Sequence, residues 1–193
     1  MRLIYVVALT LLAAFPAQAE VKIQEVTSPG GLKAWLVEEH SIPFVALDVR
    51  FRGGASLDAP GKRGAINLMT GLLEEGAGEL DARGFAREAE GLASSFRFGV
   101  DDDSLSVSAR FLTENQDASV ALLKQALQNP RFDQDAIDRV RGQVLSGIRS
   151  SEKDPNDIAR KKMDEMLYGD HPYGSSLDGT VESVTALTRA DLI

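Results

Sequence analysis

Gly64-Ala65-Ile66-Asn67-Leu68-Met69-Thr70-Gly71-Leu72-Leu73 is the stretch whose reading decides the fold. Its apolar side chains recur at helical spacing. Ile66, Met69, Leu72 and Leu73 share a face, and Ala65 and Leu68 widen it. The pattern predicts a helix over 62–75, and a helix this apolar must be largely buried. What lies on either side of it then fixes the class of the domain.

Upstream the period is two, not 3.6. A first strand is expected over 21–26, followed by the turn Ser28-Pro29-Gly30-Gly31. In 32–38, Leu32, Ala34 and Leu36 alternate with Lys33 and Trp35. In 44–51, Val45, Leu47, Val49 and Phe51 alternate with Phe44, Ala46, Asp48 and Arg50. These segments predict two or three antiparallel strands joined by tight turns. Gly53-Gly54 and Asp58-Ala59-Pro60-Gly61 break the pattern before the buried helix begins.

Downstream, Gly76-Ala77-Gly78 closes that helix, and a second is expected over 80–92 with Asp81 as its N-cap. A hairpin over 95–100 and 104–111 turns at Asp101-Asp102-Asp103. Helices follow over 117–128, over 133–151 with Asp133 as cap, and over 156–167, with further elements over 181–187 and from Thr188. Strands, a buried helix, a hairpin and more helices make an α+β domain. Its helices should pack on one face of a mostly antiparallel sheet. Thr188 with Asp191 begins a capped helix that is cut one turn later, so truncation after Ile193 is expected.

The first 19 residues read as an export signal. A basic start at Arg2 precedes an apolar run, and Ala17-Gln18-Ala19 is an A-x-A cleavage site. Residues 20–193 then form one exported domain, periplasmic in a bacterium, with no membrane attachment after cleavage. The chain carries 29 Asp+Glu against 21 Lys+Arg, a net charge of −8. That balance argues against nucleic acid and anionic membranes as partners. There is no cysteine, so disulfides and thiolate metal sites are excluded.

Few residues offer catalytic chemistry. His40 and His171 are the only histidines and lie in separate loops; the acids beside them, Glu38, Glu39 and Asp170, suit solvated turns. Asp101-Asp102-Asp103 lacks the glycine and the twelfth-position Glu of a calcium loop, and reads as a hairpin tip. Glu74-Glu75 reads as an exposed, frayed helix end. No G-x-S-x-G, Walker loop or G-x-G-x-x-G occurs.

Six strings, in order, resemble the insulinase (pitrilysin) family of zinc peptidases. They are Gly30-Gly31-Leu32-Lys33-Ala34-Trp35, Val49-Arg50-Phe51-Arg52-Gly53-Gly54-Ala55, Gly61-Lys62-Arg63-Gly64-Ala65, Ser150-Ser151-Glu152-Lys153-Asp154-Pro155, His171-Pro172-Tyr173-Gly174 and Gly179-Thr180-Val181-Glu182-Ser183-Val184. The resemblance covers essentially the whole chain after the signal. It implies a helix that elsewhere carries H-x-x-E-H, two zinc-binding histidines four residues apart with the general base between them. Those positions fall on Asn67, Thr70 and Gly71, and the third ligand, a Glu on a later helix, falls near Gly147. Gly has no ligand atom, Asn is a poor zinc ligand, and Thr cannot replace a carboxylate base.

The resemblance therefore implies a non-catalytic subunit. No catalytic, cofactor or metal residue is expected in this chain. Zinc belongs to a homologous partner chain with an intact motif, and the pair acts on a peptide substrate. Two alternatives stand beside this reading. One is an active zinc peptidase with atypical ligands. The other is a periplasmic peptide-binding or scaffold module that adds a strand to a sheet edge.

Overall fold

The computed structural model describes residues 21–193. The expected signal at 1–19 lies outside the described residues. The chain divides into two compact units, the first ending at Ile42 and the second spanning Pro43–Ile193.

In the first unit, β1 (Ile23–Thr27) and β2 (Lys33–Val37) pair antiparallel, with Glu25 opposite Trp35. The turn between them closes with the Gly31 amide donating to the Ser28 carbonyl. Trp35 is 82% exposed.

The second unit is built on β3 (Phe44–Arg52), β6 (Ser95–Val100) and β7 (Ser104–Leu112), in the order β3-β7-β6, all antiparallel. The expectation that β3 extends the meander of the first two strands is corrected: its partner is β7. The reason is on its inner face. Val45 and Val49 pack into the same cluster as Val107, Ala109 and Phe111 of β7, so pairing follows the shared apolar face and not nearness in sequence.

Helices cover that face, as the α+β reading expects. They are α1 (Ala65–Leu72), α2 (Ala82–Gly91), α3 (Gln116–Gln128), α4 (Gln134–Ser151), α5 (Pro155–Tyr168) and α6 (Val181–Ala186). Between α1 and α2, β4 (Gly76–Ala77) and β5 (Leu80–Asp81) form a two-residue ladder. Phe85 of α2 and Leu122, Leu123 and Ala126 of α3 meet the sheet in one cluster. Leu68 and Leu72 of α1 meet Ile137 and Val140 of α4 in a second. Phe98 of β6 touches both and joins them.

Helix α1 is shorter than its pattern predicts and turned differently. Ala65, Leu68, Thr70 and Leu72 are its buried residues, while Ile66 and Met69 are only half-buried. Neighbours on two sides decide this, the sheet through Phe98 and α4 through Ile137 and Val140. Asp81 caps α2 as expected, accepting from the Gly84 amide at 2.7 Å. Asp133 stands at the N-cap of α4 but caps nothing with its side chain, because its carboxylate pairs with Arg131.

Candidate functional site

Helix α1 starts without a local cap. Gly64 stands at its N-cap with φ of +96°. The missing side chain is supplied by Asp58, whose carboxylate accepts from the amides of Gly64 at 2.8 Å and Ile66 at 2.9 Å. An acid here meets the positive end of the helix dipole. The Asp58 side chain is 2% exposed, and the Arg63 guanidinium lies 3.7 Å away.

Arg63 ties three segments together. It donates to the carbonyls of Ala55, Pro172, Ser175 and Ser176 and to the Asp102 carboxylate. The loop 172–180 is thereby drawn against the start of α1. Two glycines permit the approach. A Cβ on Gly64 would lie 2.5 Å from the Asp178 carbonyl, and one on Gly179 would lie 2.3 Å from the Arg63 carbonyl.

Each of the four implied metal positions has a definite place. Asn67, half-buried, donates its side-chain amide to Asp178 at 2.9 Å. Thr70 is buried and turns its hydroxyl back onto the Ile66 carbonyl at 2.7 Å, as helical threonines do. Gly71 faces α4; a Cβ built on it would lie 3.2 Å from Val140 Cγ1. Gly147 is on α4 with open space around it. Three positions thus share α1, and the fourth lies on α4, the helix packed against it.

The residues present do not fit a zinc ion. Two have no donor atom, and the polar groups of the other two are committed to Asp178 and Ile66. Among the described residues no three His, Cys, Asp or Glu side chains gather as a metal requires. His40 bonds to Glu38 in the first unit, and His171 accepts from the Tyr173 amide in the second.

Asp178 also lines a cavity of about 570 Å³ with Ile148, Ser151, Ile158, Tyr173 and Thr180. Sequence reasoning passed over Asp58, Arg63 and Asp178. An acid six residues ahead of a helix that lacks its own cap was the available signal for the first. Asp178 had none, because its partner is 111 residues away.

The remaining clusters have structural explanations. Asp101 accepts from the Ser104 hydroxyl and from the amides of Asp103 and Ser104, which holds its carboxyl below the usual range; these bonds form the hairpin tip. Glu74 is exposed just past the end of α1, as expected, while Glu75 is half-buried and anchored. Glu75 pairs with Arg139 of α4, and Glu74 is held above the usual carboxylate range by partial burial of its carboxyl and by the Glu75 charge. Tyr173 donates its hydroxyl to Asp103, and that bond pushes its pKa up to about 12.

Comparison with known proteins agrees with this geometry. The family model described as insulinase (peptidase family M16) matches residues 33–181. The non-peptidase homolog YmxG of Helicobacter pylori is 32% identical over 155 residues, covering 80% of this chain and 36% of the relative. An uncharacterized zinc protease of Mycobacterium leprae is 27% identical over 168 residues, covering 86% of this chain and 37% of the relative. The crystal structure of a peptidase M16 inactive domain from Pseudomonas fluorescens superposes with a TM-score of 0.83 at 28% identity, over 89% of this chain and 42% of that one. The chain spans roughly two fifths of the length of these relatives. With its buried α1 in place and no H-x-x-E-H upon it, the chain belongs to the insulinase family, peptidase family M16.

Proposed function

We propose that this chain is a non-catalytic insulinase-family subunit, which pairs with a homologous zinc-bearing chain to form an exported peptidase. The observation behind the reading is the state of α1. Its packing against the sheet and α4 is kept, while Asn67 and Thr70 spend their polar groups on protein partners and Gly71 offers none. A relative named as a non-peptidase and a structure named as an inactive domain support the same reading.

In this account the chain binds no zinc, and zinc sits in the partner. The chain contributes wall and closure to a chamber that holds a peptide. An obligate pair of this kind buries upwards of about 2,000 Å². The export half of the proposal rests on the signal-like residues 1–19.

The test is co-purification of the full-length protein from its host. The expected result is a similar-sized homologue with an intact H-x-x-E-H and zinc near one ion per pair. Recovery of the protein only by itself contradicts pairing.

A second reading is favoured by the sheet order. Among the described residues β6 pairs only with β7, so its outer edge is free to accept a peptide strand. A peptide-binding module without any enzyme partner would use that edge in the same way.

A further inference from the structure

The helices cover one face of the β3-β7-β6 sheet, and the other face is bare. Register places its residues in rows. Ala46, Arg110 and Ser95 lie side by side; then Asp48, Ser108 and Arg97; then Arg50, Ser106 and Gly99; then Arg52 and Ser104. Four arginines thus share this face with one acid, in a chain whose net charge is −8. All four are exposed.

None of the four is in an ion pair among the described residues. Elsewhere among the described residues Arg63, Arg131, Arg139, Arg141 and Arg160 are paired, while Arg83, Arg87, Arg149 and Arg189 are not, so what sets the four apart is their grouping on one face. The one acid on the face, Asp48, accepts a hydrogen bond from Ser108 and offsets only one of the four cations. A hollow of about 130 Å³ opens on this surface, lined by Asp48, Ser95, Arg97, Ser108 and Arg110. Unpaired arginines set among serine hydroxyls offer planar, multidentate donors to carboxylates.

We propose that the open face of the β3-β7-β6 sheet docks an extended, carboxylate-bearing segment of another polypeptide. Charge complementarity selects the sign. Spacing selects the form: alternate residues of an extended chain repeat about every 7 Å, the same interval as successive rows on this face. The surrounding charge selects a polypeptide over a polyanion. Outside this face the chain is strongly acidic, so nucleic acid or an anionic bilayer is repelled at longer range, while a short acidic segment meets a patch of four arginines and one acid.

This proposal is independent of the zinc-bearing partner, because the purified chain alone carries the face. The probe is a fluorescent peptide of alternating Glu and Thr, followed by anisotropy at rising salt. The chain should bind it with an affinity that falls as salt rises. The Gln-for-Glu peptide should bind at least about tenfold more weakly, and Arg50→Ser/Arg97→Ser/Arg110→Ser should lose at least about tenfold in affinity. These strand positions face solvent, so the variant should keep its melting transition. If it does not fold, Arg50→Ser and Arg97→Ser singly should each weaken binding.

No binding of the Glu peptide, equal binding of the Gln peptide, or affinity untouched by the substitutions overturns the proposal. Tighter binding to phosphatidylglycerol vesicles or to single-stranded DNA than to the peptide also overturns it.

Discussion

Asn67 donates its side-chain amide to the Asp178 carboxylate at 2.9 Å, across 111 residues of sequence. The helix position that resembles a first metal ligand is therefore hydrogen-bonded to a loop. The same loop is held from the other side by Arg63 and brought close by Gly64 and Gly179. The start of α1, the loop and the wall of the adjoining cavity form one connected structure.

Breaking that tie has a modest expected effect. Asn67→Ala removes a half-buried hydrogen bond and should destabilise the fold by about 1 kcal/mol in urea titration. Asp178→Ala should do the same, and the double variant should cost less than the two losses added. Strict additivity would mean that the two side chains do not interact.

Arg63→Ala should be far more damaging. It removes the cation beside the Asp58 carboxylate, which is 2% exposed and keeps only its two amide donors, and it frees three segments at once. Losing one partner of a buried charge pair costs about 3–5 kcal/mol. Arg63→Lys should recover little, because a single ammonium cannot reach the same set of acceptors. Full stability of the lysine variant would contradict this role.

The orientation of α1 is checked by comparing its leucines with its outward residues. Leu68→Ala and Leu72→Ala, both at fully buried sites, should each cost about 2–5 kcal/mol. Ile66→Ala and Met69→Ala should cost clearly less. An equal loss at all four would restore the helical face first read from the sequence.

Tyr173 gives a titration. Its folded pKa is raised to about 12 from an ordinary 10.0, chiefly by its bond to Asp103. A group raised on folding adds stability that is fully present below pH 10 and is lost as pH climbs through 12. Tyr173 should therefore ionise well above pH 10 in an NMR titration. Asp103→Asn should bring its pKa back toward 10. An unchanged titration in that variant would remove Asp103 as the cause.

Much of the fold was legible because it rests on local patterns. Alternation located β3, the turn at Asp101-Asp102-Asp103 located the β6-β7 hairpin, and Asp81 was found as a cap from its position alone. What stayed hidden was non-local. The pairing of β3 with β7 depends on an apolar face shared across some sixty residues. The cap of α1 comes from Asp58 because Gly64 has no side chain, and α1 turned because two neighbours compete for it. At the site, the sequence showed which side chains stand at the four positions. It could not show that Asn67 and Thr70 are already engaged, since Asp178 and the Ile66 carbonyl become their partners only in the folded chain.

The central claim is that Asn67, Thr70, Gly71 and Gly147 occupy the places of a zinc site without its chemistry. The measurement is calorimetric zinc titration of the folded quadruple variant Asn67→His/Thr70→Glu/Gly71→His/Gly147→Glu beside the natural chain, with Val140→Ala added to make room for the second histidine. The account predicts about one tightly bound zinc per chain for the variant and none for the natural protein. A cooperatively melting variant that binds no zinc, or a natural chain that binds it stoichiometrically, would contradict it.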